Sequence, residues 1–236
     1  MSFELEKYMT RNIEDKKHII LDNIKLKNDY FYKAFAKEVP FDYRIIDIVM
    51  ALSNYKIDEN EIKYIKYLNT IDIDLLSFIA CNSKISMKRL GKMTGINDFE
   101  LQKILAKLEK KKLIKKVSNY SYSIENGILK FIPQILISYE LKLYNWNEAL
   151  EQGIYNKRFS EYSFVILDKS RVYENKKIKF IYKENNVGLM FLDEEDNIEV
   201  INMPRVNKEI NKYDNMRQKI KFLKDSLNNK KWTDIF

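Results

Sequence analysis

Glu140 and Lys142 stand two residues apart near the end of the run Ile135-Leu136-Ile137-Ser138-Tyr139-Glu140-Leu141-Lys142-Leu143. The run alternates apolar, β-branched and aromatic residues with others, a pattern that predicts a strand. A strand repeats every two residues, so both side chains leave one face. A carboxylate and an ammonium held side by side on a rigid element are costly in a core and useful in a site. They make half of a metal-dependent catalytic centre, in which oxygen ligands hold a hard cation and an amine acts on water. The other half requires a second carboxylate. Asp47 is the first candidate, in the middle of Tyr43-Arg44-Ile45-Ile46-Asp47-Ile48-Val49-Met50-Ala51-Leu52. That run predicts a buried strand or hairpin arm. An acid inside it must be paired, metal-bound or protonated, unless it caps a turn or pairs with Arg44. Asp42 and Glu125 are weaker candidates for the same role.

The elements that must position these groups follow from periodicity and caps. After the opening strand, Asn145 to Tyr155 predicts a helix capped by Asn145, with Trp146, Ala149, Leu150, Gly153 and Ile154 inward and Gln152 and Tyr155 sharing a face. Tyr162 to Leu167 is then a strand ending at Asp168. Strand, helix, strand is a βαβ unit, with parallel strands and a right-handed crossover. Upstream, apolar spacing predicts helix from Ser2 to about Glu38, ended by Pro40. Between Asp58 and Glu125 the pattern shortens. Helices are expected over Asp58 to Leu68, Asp72 to Ala80, Met87 to Met93 capped by Ser86, and Asp98 to about Lys112 capped by Asn97 with Glu100 three residues on. Strands follow over Leu113 to Val117 and Tyr120 to Ile124. Downstream, Val172 to Tyr182 predicts a helix, Val187 to Leu192 and Ile198 to Ile201 a hairpin, and Asn207 to about Asn229 a charged helix or helix pair.

Composition narrows the chemistry. The chain has 236 residues and 42 Lys plus Arg against 34 Asp plus Glu, a formal charge of +8 that favours a polyanionic partner. One Cys (Cys81) excludes a disulfide framework and a cysteine cluster. One His (His18) excludes a histidine-rich zinc site and leaves carboxylates and lysines for acid–base work. No apolar run is long enough to span a bilayer, and residues 1–23 lack the apolar centre of a signal peptide, so a cytoplasmic protein without membrane contact is expected.

The strand with Glu140-Leu141-Lys142, the helix with Gln152 and Tyr155, and the following Tyr162-Ser163-Phe164-Val165 together resemble the PD-(D/E)xK nuclease-like superfamily. The resemblance implies Mg²⁺ (or Mn²⁺) held by Asp47, Glu140 and the backbone carbonyl of Leu141, with Glu38 as a further ligand. It makes Lys142 the group that orients or deprotonates water, and gives Gln152 and Tyr155 a part in positioning the ligands or contacting a nucleic-acid backbone. The chain departs from the superfamily pattern twice: no Pro precedes Asp47, and the gap from Asp47 to Glu140 is far longer than usual. An insertion accounts for the gap. Ile85 to Ile96 resembles the first two-helix step of a winged helix-turn-helix domain, with Asn97 to Lys112 as recognition helix and Leu113 to Ile124 as wing.

The expected fold class is therefore mixed α/β, a restriction-endonuclease-like α/β core with an inserted α+β winged-helix domain. Residues 1–56 and 127–236 would form the core and residues 57–126 the insertion. Lys88, Lys103, Lys107, Lys110, Lys111, Lys115 and Lys116 would meet DNA phosphates or the major groove, against the plainer reading of a solvated face. The expected function is metal-dependent hydrolysis of DNA phosphodiester bonds. A catalytically silent DNA-binding regulator and a winged-helix adaptor for another protein are the alternatives, and a homodimer is compatible with any of these.

Overall fold

The computed structural model describes residues 8–10, 13, 30, 32–56, 58, 60–172, 175–195, 197–229 and 232–234. In chain order the elements are β1 (Tyr32–Phe41), β2 (Arg44–Ser53), a 3-10 turn (Lys63–Tyr67), α1 (Thr70–Ala80), β3 (Ile85–Ser86), α2 (Met87–Thr94) and α3 (Asp98–Lys110). Then come β4 (Ile114–Ser118), β5 (Ser121–Ile124), α4 (Asn126–Leu129), β6 (Ile135–Lys142), α5 (Trp146–Asn156) and β7 (Tyr162–Asp168). The chain ends with α6 (Lys176–Glu184), β8 (Gly188–Leu192), β9 (Ile198–Asn202), α7 (Lys212–Asn229) and β10 (Trp232–Asp234). The architecture is mixed α/β, in two compact units.

The first unit comprises Met1–Asn54, Ile135–Ile210 and Thr233–Phe236. Its sheet runs β10-β1-β2-β6-β7-β8-β9. The β1–β2–β6 ladder is antiparallel, β6–β7–β8 is parallel, and β8–β9 is antiparallel. The βαβ reading of β6, α5 and β7 is thus met. Both faces of the central strands are buried, which explains their near-continuous apolar runs. Ile48, Met50, Ile137, Tyr139, Leu141, Phe164 and Ile166 fill one face, with Met9 and Ile13 against them. Val165, Leu167, Leu189 and Phe191 fill the other, against Ala149, Leu150, Ile178 and Tyr182 of α5 and α6.

The second unit comprises Tyr55–Gln134 and Asn211–Trp232. Leu90, Leu101, Leu105 and Leu108 of α2 and α3 pack with Leu75, Leu76 and Ile79 of α1 and with Ile85, Ile114 and Tyr122 of the small β3-β5-β4 sheet. The caps lie where the sequence puts them. Ser86 accepts from Arg89 N, Asn97 accepts from Glu100 N, and Gly95 closes α2 with φ 71°. Asn69 and Asp72 add a full capping box at the start of α1.

Four expectations change. Residues 32–41 are not helical: the 31/35 spacing of Phe residues mimics a helix, but β2 has an open edge whose backbone must be paired, and the adjacent segment pairs it as a hairpin. Of the remaining Ser2 to Glu38 helix, residues 8–10 and 13 are helical, and most of the rest lies outside the described residues. Asp58 to Leu68 contributes a single 3-10 turn, with only Ile65 of that turn buried. The helix expected from Val172 begins at Lys176, where the Asn175 side chain accepts from Ile178 N. Finally, α7, expected with the sheet unit, packs in the second unit. Ile220, Leu223 and Leu227 enter that core, Arg217 pairs with Asp74 at 2.6 Å, and Tyr213 stacks on Phe78.

Candidate active site

Extending the β2–β6 register one residue past Ile48↔Tyr139 sets Asp47 opposite Glu140. The paired register ends at Ile48↔Tyr139, and beyond it Leu141 N donates to Asp47 Oδ2 at 2.8 Å. A strand residue's N–H and C=O leave the same edge, so the Leu141 carbonyl also faces the β2 side. Glu140 is 3% exposed and stands beside Asp47. Burial, then the neighbouring Asp47 charge, pushes the Glu140 carboxyl up to about 8, against opposing effects from Asn156 and Lys142. Neighbouring carboxyls in a desolvated place cannot both ionise cheaply, which favours the neutral form of Glu140.

Helix α5 covers the pair. Asn156, fully buried, donates from Nδ2 to Glu140 Oε1 at 2.6 Å. Ser160 Oγ donates to the Asn156 carbonyl and lies 3.0 Å from Ser138 Oγ, fixing the helix end to β6. Gln152 Nε2 reaches Glu148 Oε1 at 3.5 Å, and its Oε1 is enclosed with no hydrogen-bond partner among the described residues. Lys142, on the same strand face as Glu140, lies 3.8 Å from Glu148 Oε1. Neither Glu148 nor Asn156 was anticipated from the sequence. The signal was the four-residue spacing of Glu148, Gln152 and Asn156, which lines them along one helix face.

Helix α5 sits this close because of Gly153. A Cβ there would lie 2.8 Å from Val187 Cγ1 and 3.2 Å from Val165 Cγ2. Gly153→Ala is expected to lower stability by roughly 1–3 kcal/mol through overpacking and to shift Asn156 away from Glu140. Thermal melting checks the first effect. The second predicts that the pH dependence attached to Glu140 changes along with it.

The other predicted residues are placed differently. Tyr155 turns to the β1–β2 hairpin, where its hydroxyl donates to Asp42 Oδ2 at 3.1 Å. Ile154, expected inward, is 38% exposed. Glu38 lies on β1 rather than a helix, is exposed, and has a left-handed backbone (φ 51°). It does not complete a ligand set: among the described residues no group of three or more His, Cys, Asp or Glu side chains is placed to hold a metal ion. Arg44, the alternative partner for Asp47, instead lies against Tyr43 and Tyr155. Glu125 faces Lys115 at 3.9 Å in the second unit.

The lysines of the second unit divide. Lys107 is committed to the buried Asp72, whose carboxylate it meets at 2.5 Å, so its first role is structural. Lys103 lies 4.0 Å above the Phe99 ring. Lys88, Lys110 and Lys116 are exposed and Lys111 is half-buried. Lys116 lines a cleft of about 400 Å³ with Met87, Gln102, Asn119, Tyr120 and Tyr122. Asp72→Ala removes both a helix cap and a charged hydrogen bond, and is expected to cost roughly 2–3 kcal/mol, readable by chemical denaturation.

Among the described residues no helix is long and apolar enough to cross a membrane. Comparison with protein-family models, with curated proteins and with solved structures finds no significant match to the chain.

Proposed function

We propose that this chain is a metal-dependent DNA-cleaving protein of the PD-(D/E)xK kind, its sheet unit carrying the reaction and its second unit acting as a DNA-binding winged helix. One observation carries the reading. Asp47 and Glu140, distant in sequence, meet on one face of the sheet with Lys142 two residues on.

The donor set fits Mg²⁺ or Mn²⁺. It is all oxygen: two carboxylates and the Leu141 carbonyl edge. Mg²⁺ commonly takes only one or two carboxylates and keeps several waters, so a two-acid site suffices. When bound, such an ion supplies charge stabilisation and a more acidic water at the scissile phosphate. The protein's own residues do the rest. Leu141 N and Asn156 Nδ2 hold the two carboxylates in place. Glu140 would have to lose its proton to hold a cation, so binding would tighten as pH rises toward 8. Lys142 orients water and offsets the charge that builds on the phosphoryl oxygens. The exposed lysines of the second unit and the +8 balance supply phosphate contacts.

One observation favours the silent regulator: the buried Glu140 carboxyl already accepts a hydrogen bond from the buried Asn156. Incubation with single-stranded, duplex and branched DNA in Mg²⁺ or Mn²⁺ separates the two. Cleavage that is lost in Asp47→Asn, with DNA binding kept, supports the nuclease. Binding with no cleavage of any DNA form in either ion supports the regulator.

A further inference from the structure

The β1–β2 turn and the end of α5 enclose a cluster that the carboxylate site does not use. Asp42 takes the left-handed backbone (φ 51°) at this tight turn. Tyr43, next to it, is 79% exposed. The Arg44 guanidinium lies 4.7 Å from the Tyr155 ring centroid and 5.7 Å from that of Tyr43, and these two rings are 5.6 Å apart. Arg158 adds a second guanidinium, 5.2 Å from the Tyr155 ring and 3.3 Å from both Asp42 Oδ2 and the Tyr155 hydroxyl. The Tyr155 hydroxyl is pushed up to about 12 by burial and by Asp42, so it remains a hydrogen-bond donor at neutral pH.

A purely structural account leaves a cost unexplained. Among the described residues, Arg44 Nη1 is enclosed and has no hydrogen-bond partner. An unpaired guanidinium nitrogen is expensive to desolvate, and contacts with two rings offset only part of that. An exposed tyrosine beside two arginines is the combination that takes a nucleotide: the ring stacks a base, and the planar guanidinium forks take a phosphate. The position suits it. Arg44 packs on Tyr155, and Tyr155 adjoins Asn156, which holds Glu140.

We propose that Tyr43, Arg44 and Arg158 form a subsite for an unpaired nucleotide of a nucleic-acid strand, Tyr43 stacking the base and the two arginines holding its phosphate, beside the Asp47–Glu140 pair. This deepens the nuclease reading, because it assigns the site a strand with single-stranded character. It can fail separately, because binding here requires no metal.

The test is fluorescence anisotropy of the full chain in EDTA, with a labelled twelve-residue thymidylate strand and with a blunt hairpin duplex as probes. Wild type is expected to bind the single strand. Tyr43→Ala is expected to weaken that binding by about five- to a hundredfold, the range of one lost stacking contact, with a much smaller change for the duplex. Arg44→Gln is expected to weaken it too and to reduce the salt slope by about 0.7. Tyr43 is exposed, so its variant keeps the test valid where Arg44→Gln fails to fold. No single-strand binding by wild type overturns the proposal, as does unchanged binding in Tyr43→Ala or an equal loss for strand and duplex. Cleavage in Mg²⁺ or Mn²⁺ is scored separately. A loss of single-strand binding in Tyr43→Ala with no cleavage by wild type would sink the nuclease and leave the subsite standing.

Discussion

Replacing Glu140 by glutamine is expected to make the protein more stable at neutral and alkaline pH. In the folded chain this carboxyl is raised from 4.5 to about 8 by burial and by Asp47. The folded state therefore binds a proton that the unfolded state releases between those values. Stability from this group is fully present below about 4.5 and is lost as pH rises through 8. Glutamine keeps the shape: its oxygen can accept from Asn156, and its amide can donate to Asp47 in place of the carboxyl proton. The variant has no charge to desolvate, so the wild-type loss disappears. Each pKa unit corresponds to about 1.4 kcal/mol, which makes the gain at pH 8 on the order of 3 kcal/mol after relaxation. For a chain of this size that is roughly 6–12 °C in melting temperature. The gap should be small at pH 4 and grow toward pH 8. Added Mg²⁺ should narrow it, since a cation stabilises the wild-type pair and not the amide. A variant that melts lower than wild type at pH 8 would mean that the Glu140 charge is a structural ion partner and not a group held ready.

The sequence made some of this legible and hid the rest for physical reasons. An acid inside an apolar strand has few cheap explanations, so Asp47 and Glu140 could be matched before their strands were known to be neighbours. Caps at Ser86, Asn97 and Asn145 are local chemistry and were readable as such. β1 was not, because its aromatic spacing fits a helix equally well and only pairing with β2 decides. The packing of α7 was not, because a charged amphipathic helix does not reveal which core receives its stripe. Tyr155 drew attention by its spacing from Gln152, yet the last turn of α5 rotates it to Asp42. Asn156, one residue later, is the group that reaches Glu140. Lys107 shows the same limit among the cations: a lysine on a predicted DNA-facing helix is indistinguishable by sequence from one that neutralises a buried acid thirty-five positions away.

On the proposed nuclease reading, Lys142→Ala is expected to abolish cleavage while leaving the fold and DNA affinity nearly unchanged. The Lys142 side chain is 16% exposed and lies beside Glu148, itself 49% exposed, so this ion pair contributes little to stability. Its value lies in where it is held: on the face that carries Glu140, beside the helix that carries Gln152. A group that both orders water and offsets transition-state charge typically accounts for about 10² to 10⁴ in rate, and the alanine variant should lose activity by that amount in single-turnover measurements with DNA in excess of its Kd. Lys142→Arg is not expected to rescue it. A guanidinium stays charged at any working pH and cannot act as a base. Partial activity in the arginine variant would assign Lys142 to charge stabilisation alone, and full activity in Lys142→Ala would remove it from the reaction. Glu148→Gln separates holding from chemistry. It weakens the contact that fixes the ammonium but leaves Gln152 a hydrogen-bond acceptor at the same position, so a loss of less than about tenfold is expected. A loss as large as that of Lys142→Ala would place Glu148 among the reacting groups, as a third carboxylate drawn in when a cation binds.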